Sequence, residues 1–319
     1  MRPTRRVNMT QDVLVVAAGV LLREQRFLMA SRPQGKVYGG YWEFPGGKAE
    51  AGETPRTALI RELAEELGIE VVRADPWIVR EHVYPHAHVR LHFFRVSAWC
   101  GEPHPHEGQR LAWLAPQDAP PEPMLPANGP VLRALSLPPI YAITQAEIWG
   151  VDAFLARLDA ALDQGLKLVQ VRDKGLPEAA RLSLSREVVL RAHARGARVL
   201  INGSVSMCQE AGADGLHLDS GHLMQLTARP AVDWLGASCH SLQELRKAEA
   251  LGADFVMLSP VLPTASHPGE ATLGWDTFAA WAQTSAVPVY ALGGMRPGLL
   301  DEAQRHGAHG IAMLRGAWS

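Results

Sequence analysis

The feature that most constrains the fold is a regular alternation of short apolar strands and helical stretches after residue 139. Strands separated by helices favour a parallel sheet, and eight such units are the number that closes a (β/α)₈ barrel. The predicted strands span residues 140–143, 166–171, 198–201, 215–218, 234–237, 255–258, 287–291 and 310–313. Because very little sequence follows the last strand, we expect a TIM barrel with a truncated last helix.

A proline-rich segment precedes the barrel. Eight prolines fall between residues 116 and 139, and proline suppresses both helices and central strands. The chain of 319 residues is also about twice the usual length of a domain. We therefore predict two domains, residues 1–135 and 136–319.

The first domain has a different pattern, which indicates mixed α and β structure. Residues 13–21 and 26–29 are predicted strands, and residues 77–83 and 88–99 also have β character. Between them, residues 54–67 carry apolar side chains at helical spacing, and Gly68 follows as a typical helix-ending glycine.

Charge and cysteine content limit the classes of function. The net charge is −2, from 31 basic and 33 acidic residues, so broad electrostatic binding to nucleic acid or to an anionic membrane is not expected. The three cysteines form no CxxC pair, which favours a reducing compartment. No apolar run reaches the ~18–20 residues that span a bilayer. We expect a cytoplasmic protein that acts on small molecules; an oligomer remains possible.

Three glutamates of the predicted helix form the first candidate site. Glu62, Glu65 and Glu66 are spaced i, i+3 and i+4, which places them on one helix face. A solvated acidic face is the simpler interpretation of such spacing alone. Clustered carboxylates, however, repel one another unless a cation neutralises them, and oxygen ligands suit Mg²⁺ or Mn²⁺. Arg61 could hold one carboxylate, and Glu53 could support the cluster or cap the helix.

The segment from Gly47 to Ile69 resembles the Nudix box, Gly-x5-Glu-x7-Arg-Glu-U-x-Glu-Glu-x-Gly-U with U aliphatic, at every position. Nudix hydrolases cleave a nucleoside diphosphate linked to another group, using a divalent metal on an α/β/α sandwich. The resemblance implies Mg²⁺, or Mn²⁺, as the cofactor. It also implies that the catalytic residues include Glu53, Arg61, Glu62, Glu65 and Glu66; which glutamate is the base stays open.

Across residues 13–135 the resemblance narrows to the MutT-type 8-oxo-dGTP diphosphatases. It is carried by the stretches WEFPGGK at 42–48, GEP at 101–103, EGQ at 107–109 and PANGPV at 126–131. It implies that Arg32 and Asn128 hydrogen-bond the oxidised guanine, and that Phe44 and Lys48 also contact the substrate. It further adds Glu107 and Gly46 to the metal site. Relatives often carry an arginine in the loop at 84–88, where this chain reads YPHAH.

Polar residues at the ends of the barrel strands form the second candidate site. In a (β/α)₈ barrel, functional side chains lie at the C-terminal strand ends, with phosphate sites after strands seven and eight. The pattern therefore predicts a phosphate-ligand site. Its candidate residues are Gln170, Arg172, Lys174, Asn202, His217, His240, Thr264, Gly293 and Gly294.

From residue 140 onward the chain resembles the thiamine-phosphate synthase/TenI family. The matching stretches include YAIT at 141–144, VQVRDK at 169–174, GADGLH at 212–217, HSLQE at 240–244 and ALGGM at 291–295. Synthases bind a pyrimidine pyrophosphate through Mg²⁺ with two aspartates and a lysine, but those places hold Gly203, His222 and His267. TenI isomerises a thiazole carboxylate phosphate, and His240 takes the place of its histidine. The resemblance implies either a tautomerase or a barrel that binds a thiazole or thiamine phosphate without turnover.

Three hypotheses follow for the whole chain. The first is a hydrolase for nucleotide-pool sanitation and DNA repair, fused to a second enzyme. The second is a Nudix hydrolase of thiamine-pathway diphosphates. In the third, the barrel is a structural or ligand-sensing partner of the hydrolase.

Overall fold

The computed structural model describes residues 13–264, 269 and 271–318, which form two compact units. The first unit contains the residues up to Ala74 together with Val79–Gly129, and the second contains Asp75–Ile78 and the residues from Pro130 onward. The predicted domain boundary between residues 135 and 136 stays a prediction.

The first unit is built on a mixed sheet with strand order β3-β2-β1-β6-β5. Strand β4 pairs with β1, and β7 pairs with β2; β1 runs parallel to β6 and antiparallel to β2 and β4. The strands are β1 (Leu14–Arg23), β2 (Arg26–Ser31), β3 (Trp42–Glu43), β4 (Gly46–Lys48), β5 (Glu70–Tyr84), β6 (Ala87–Cys100) and β7 (Leu111–Leu114).

Helix α1 (Pro55–Leu67) confirms the predicted helix and its ends. The Thr54 hydroxyl accepts a hydrogen bond from the Thr57 backbone N–H, and Pro55 occupies the first turn, as is common at helix starts. Gly68 ends the helix in the left-handed conformation, with φ 66°. The apolar face is fully buried in the core beside β1; it consists of Ala58, Leu59, Leu63 and Leu67.

The strands of the first unit differ most from the prediction. Strand β5 begins seven residues before the predicted 77–83, because polar residues continue it on its exposed face, whereas β6 exceeds the predicted 88–99 by only one residue at each end. Strands β3, β4 and β7 were not predicted. Each is four residues or shorter, and β4 is largely glycine, which has low intrinsic strand preference.

The second unit is a closed parallel barrel with strand order β10-β11-β12-β13-β14-β15-β8-β9, as predicted. Five strands have the predicted bounds, and the other three differ by two residues at one end. The strands are β8 (Ile140–Ile143), β9 (Leu168–Val171), β10 (Arg198–Ile201), β11 (Gly215–Leu218), β12 (Trp234–Cys239), β13 (Phe255–Leu258), β14 (Val289–Ala291) and β15 (Gly310–Met313).

Helices cover the outside of this barrel. Short helix α2 (Gly129–Leu135) precedes the first strand. The others are α3 (Ala146–Trp149), α4 (Val151–Asp163), α5 (Glu178–His193), α6 (Val205–Ala211), α7 (Ser220–Gln225), α8 (Leu242–Leu251), α9 (Gly274–Ala282) and α10 (Leu300–Arg305). One apolar cluster lies between strands and helices, and a second fills the interior around Tyr141, Phe255 and Tyr290.

The segment after β15 lies against the barrel wall. Within the described residues, which reach Trp318, no helix follows β15. Trp318 is instead buried near α4: its indole N–H donates to the Ile143 carbonyl oxygen at 2.8 Å, and its ring meets the edge of Phe154 at 5.1 Å. This contact attaches the segment after β15 to the barrel wall.

None of the helices in the described part of the chain is long and apolar enough to cross a bilayer. The three cysteines are free, with Cys100 exposed and Cys208 and Cys239 buried. Burial raises the pKa of both buried thiols, so they stay protonated and pack as small apolar side chains.

Candidate active sites

Arg61 organises the acidic face of helix α1. Its guanidinium donates to both carboxylate oxygens of Glu53 at 3.0 Å and also to Glu62 and Glu65, at 3.0 and 3.2 Å. A further bond at 3.1 Å reaches the Lys48 carbonyl oxygen in β4. The hydrogen bonds from Arg61 lower the pKa of Glu53 to about 2. Glu53 is therefore a fixed carboxylate that holds Arg61 in place.

Two glycines of β4 let this strand approach α1 closely. A Cβ atom at Gly47 would lie 2.2 to 2.4 Å from the carboxyl atoms of Glu62, and one at Gly46 would lie 2.2 Å from the Ala17 carbonyl oxygen. Gly46 also has φ +140°, which side-chain-bearing residues rarely adopt. Its backbone N–H donates to Glu66 Oε2 at 3.1 Å. The glycine pair thus makes room for two of the three clustered glutamates.

The surroundings of Glu66 disfavour a negative charge on its carboxyl group. Burial, followed by the charges of Glu43, Glu62 and Glu107, raises its pKa to about 7 against the opposing hydrogen bond from Gly46. A buried carboxylate with other carboxylates around it is a donor suited to a hard divalent cation. The residues present therefore fit Mg²⁺ or Mn²⁺.

The predicted ligands are not all assembled in this state. Across the residues that the structure describes, no three acidic, histidine or cysteine side chains form a group that could already hold a metal ion. Arg61 holds Glu62 and Glu65, and the Glu65 side chain is 60% exposed. Metal binding would require these carboxylates to exchange Arg61 for the cation, so the predicted ligand set stays a prediction.

Two cations neutralise the surrounding carboxylates. Arg32 donates from Nη1 to both oxygens of Glu43 at 2.8 Å, and Lys36 pairs with Glu107 at 2.6 Å. Arg32 Nε also donates to the Val37 carbonyl oxygen. Glu43 and Lys36 were missed from the sequence, although Glu43 lies inside the WEFPGGK stretch. Arg32 is hydrogen-bonded to Glu43, and its contact with a nucleobase stays a prediction.

The other predicted substrate residues differ in accessibility. Asn128 is 3% exposed, and its amide nitrogen lies 3.4 Å from the Trp42 carbonyl oxygen. Phe44 is also 3% exposed, and its ring packs between Phe27 and Phe93 with centroids 6.0 Å away. Its ring therefore belongs to the core, which gives no support to a stacking role with substrate. The Lys48 side chain is exposed.

The barrel carries a cavity of about 450 Å³ at the C-terminal ends of its strands. Gly293 and Gly294 both have positive φ, and a Cβ atom on either would lie 2.8 Å from Pro260 or Leu262, so only glycine fits there. Arg315, in the turn after the eighth strand, also lines the cavity, as do Ser238 and Asp219, which were missed from the sequence. Six predicted residues are in its lining: Arg172, Asn202, His240, Thr264, Gly293 and Gly294.

Gln170 and His217 are not in the cavity lining, unlike the predicted arrangement. They are 0% and 1% exposed and belong to a buried hydrogen-bond chain. Gln170 donates to the Tyr141 hydroxyl at 3.1 Å, which lies 3.2 Å from His217 Nδ1, and His217 Nε2 lies 3.0 Å from Ser238 Oγ. Burial lowers the pKa of His217 to about 3. His217 is therefore a neutral core residue that supports Ser238, because its strand position points inward.

His240 has the geometry of a proton acceptor at the cavity. Its Nδ1 lies 2.8 Å from the Ser259 carbonyl oxygen. A carbonyl only accepts, so in the neutral imidazole Nδ1 carries the proton and Nε2 has the lone pair. The backbone N–H of His240 donates to the Glu244 carboxylate, which anchors the residue at the start of α8.

Asp219 at the cavity is paired with Lys174 and His222. Lys174 binds Asp219 Oδ2 at 2.7 Å, and His222 Nδ1 lies 2.8 Å from Asp219 Oδ1. Burial raises the pKa of Asp219, but these hydrogen bonds outweigh it and hold the value well below the ordinary range. Lys174 thus acts through Asp219 here and does not line the cavity. His267 lies outside the described residues.

The buried position of Glu66 predicts an unusual pH dependence of stability in metal-free protein. An unfolded glutamate titrates near 4.5, whereas the folded protein favours the protonated form up to about pH 7. Stability is therefore lost as the pH rises between these values, and Glu66→Gln escapes the loss. In urea unfolding with EDTA, the free energy of unfolding of Glu66→Gln relative to that of wild type should increase by about 2 kcal/mol between pH 5 and pH 8. The exposed Glu70→Gln is the control, and a pH-independent difference for Glu66→Gln would contradict the assignment.

Comparison with known proteins identifies a family for each half of the chain. Residues 17–134 match the model of the NUDIX domain, and residues 140–317 match that of thiamine monophosphate synthase. A Geobacter sulfurreducens protein provisionally named a thiamine-phosphate synthase is 37% identical over 180 residues, covering 55% of this chain and 84% of that protein. The CTP pyrophosphohydrolase of Escherichia coli is 38% identical over 128 residues, covering 38% of this chain and 90% of the enzyme.

A further relative is the 8-oxo-dGTP diphosphatase of Haemophilus influenzae, 35% identical over 128 residues, which are 40% of this chain and 94% of that enzyme. Each match is confined to one of the two halves. The chain therefore belongs to the Nudix family through residues 17–134 and to the thiamine monophosphate synthase family through residues 140–317, and it is an enzyme acting on phosphoanhydrides.

Proposed function

We propose that the first unit is a Mg²⁺-dependent nucleoside triphosphate pyrophosphohydrolase that converts 8-oxo-dGTP and water into 8-oxo-dGMP and pyrophosphate. One observation carries the proposal: Glu66 is buried against the Gly46 N–H while Glu43, Glu62 and Glu107 crowd it. Such a site favours a divalent cation that also neutralises phosphate oxygens. The role in nucleotide-pool sanitation follows from this substrate.

The residues of α1 have distinct tasks in this proposal. Bound Mg²⁺ supplies charge neutralisation at the phosphate oxygens and lowers the pKa of water. Glu53, with its pKa near 2, is a poor base and instead fixes Arg61. Arg61 orients Glu62 and Glu65 from one side, while the Gly46 N–H orients Glu66 from the other. Positioning and electrostatics supply most of the rate enhancement.

Asn128 supports the choice of base. A buried amide offers both a donor and an acceptor, which suits the altered edge of an oxidised guanine. The similarity to 8-oxo-dGTP diphosphatases supports this reading, while the similarity to a CTP pyrophosphohydrolase supports a pyrimidine alternative. Hydrolysis of thiamine-pathway diphosphates is the remaining alternative, in which the barrel is a non-catalytic ligand-binding partner.

For the barrel we propose a thiazole phosphate as ligand. The glycine pair at 293–294 lines the cavity after the seventh strand, where a phosphate is expected, and Arg172 and Arg315 line the same cavity. His240, with Nε2 unprotonated, could move a proton during isomerisation of the thiazole. Isomerisation and binding without turnover are both compatible with this geometry.

The substrate assignment predicts which variants lose activity. Purified protein with Mg²⁺ should prefer 8-oxo-dGTP to dGTP, CTP and thiamine diphosphate, and EDTA should abolish turnover. Glu66→Gln should lower kcat at least about 100-fold, whereas exposed Glu70→Gln should not. Asn128→Ala should reduce the preference for 8-oxo-dGTP over dGTP about tenfold, because a buried hydrogen-bonding group is lost. Cleavage of thiamine diphosphates alone, or preference for CTP, would overturn this assignment.

Activity and binding measurements distinguish isomerisation by the barrel from binding without turnover. If the barrel isomerises a thiazole carboxylate phosphate, His240→Gln should abolish that activity while His306→Gln, on the outer helices, retains it. If it only binds the phosphate, calorimetry should show binding without turnover, weakened about tenfold in Arg172→Ala. Absence of both binding and turnover in the wild type would refute a thiazole phosphate as ligand.

A further inference from the structure

An aromatic cluster joins the turn between β5 and β6 to the loop between β2 and β3. Tyr84 and His86 lie at the turn between β5 and β6, with ring centroids 5.6 Å apart. Tyr38, from the loop between β2 and β3, lies 5.7 Å from Tyr84 and 5.6 Å from His86. The three rings therefore contact one another, and none of them is buried in the core.

The cluster lies against the residues assigned to base recognition. Tyr84 receives a backbone hydrogen bond from Ala127, the neighbour of Asn128. Tyr84 is also close enough to Glu43 for that carboxylate to raise its pKa, in addition to the effect of burial. Glu43 in turn is bound by Arg32. Tyr84 thus connects the rings to Ala127, the neighbour of Asn128, and to the Glu43 carboxylate that Arg32 binds.

The loop that carries Tyr38 is held in a fixed and costly conformation. Tyr38 has φ +60°, a region that bulky residues rarely adopt. The Arg32 Nε bond to the Val37 carbonyl oxygen, the Lys36 ion pair with Glu107 and the 2.9 Å bond from the Gly40 N–H to the Arg32 carbonyl oxygen keep it there. Strain that the surroundings enforce is a common property of ligand-binding segments.

These observations assign a task to the three rings. We propose that Tyr38, Tyr84 and His86 form an aromatic subsite that stacks on the nucleobase of the nucleoside triphosphate. The inference rests on the proposed function, since it requires a nucleotide substrate. Stacking accepts any base because every base has a π-face. The subsite therefore supplies affinity, while the amide of Asn128 supplies discrimination between bases.

The proposal predicts a loss of affinity that depends on the presence of a base. Binding is measured by calorimetry with Mg²⁺ and the non-hydrolysable α,β-methylene analogue of dGTP, and with a deoxyribose triphosphate that lacks a base. Tyr38→Leu and His86→Leu should each weaken binding of the nucleotide about tenfold, with little change for the base-free triphosphate. Tyr38→Phe, which keeps the ring, should restore the affinity lost in Tyr38→Leu.

Val83→Ala is the matched control, because its side chain is 70% exposed beside Tyr84 on the same hairpin. Equal nucleotide affinity in wild type and both leucine variants would overturn the subsite alone, provided that the wild type binds and hydrolyses nucleotides. An equal loss for the base-free triphosphate would also overturn it, since the rings would then act on the phosphate site. A wild type that binds no nucleoside triphosphate would overturn the proposed function and the subsite together.

Discussion

The close approach of helix α1 to strand β4 is the constraint on which the hydrolase site depends. Any side chain at residue 47 would collide with the Glu62 carboxylate, so this position requires glycine. The backbone N–H of Gly46 donates a hydrogen bond to Glu66. Arg61 crosses the same gap to the Lys48 carbonyl oxygen. Helix and strand are thereby locked in one register, so that carboxylates which would otherwise spread into solvent converge on one side of α1.

Local patterns in the sequence predicted local structure well. Helix α1 was predicted with its ends because Thr54, Pro55 and Gly68 are signals that act within one turn. The barrel strands were located because parallel strands buried on both faces read as short apolar runs. The strands that were not predicted depend on tertiary packing. The glycine strand β4 forms because β1 pairs with it, and nothing in its own residues favours a strand.

The site residues show the same division. The Nudix box identified Arg61 and its glutamates, but Glu43 and Lys36 come from other segments that only the fold brings near. In the barrel, polarity at a strand end did not reveal which way a side chain points. His217 and Gln170 therefore belong to the interior hydrogen-bond chain, whereas Ser238, which was missed, reaches the cavity.

Both sites share one electrostatic arrangement, in which cations pair with the carboxylates beside each cavity or cluster. Arg32 with Glu43, Lys36 with Glu107 and Lys174 with Asp219 are partly exposed pairs. The more exposed pairs, Lys36 with Glu107 and Lys174 with Asp219, contribute about 0–1 kcal/mol, so a metal ion or a phosphate can replace a partner there at little cost. These ion pairs thus hold the carboxylates in place without binding them tightly.

Manganese binding to Gly47→Ala tests the central claim most directly. Free Mn²⁺ can be titrated by electron paramagnetic resonance against wild type, Gly47→Ala and Gly298→Ala, a glycine with open space around its Cβ position. A methyl group at residue 47 must displace Glu62, so the Kd for Mn²⁺ should rise at least about tenfold in that variant alone. Wild-type affinity in a folded Gly47→Ala would show that the approach of α1 to β4 does not build the metal site.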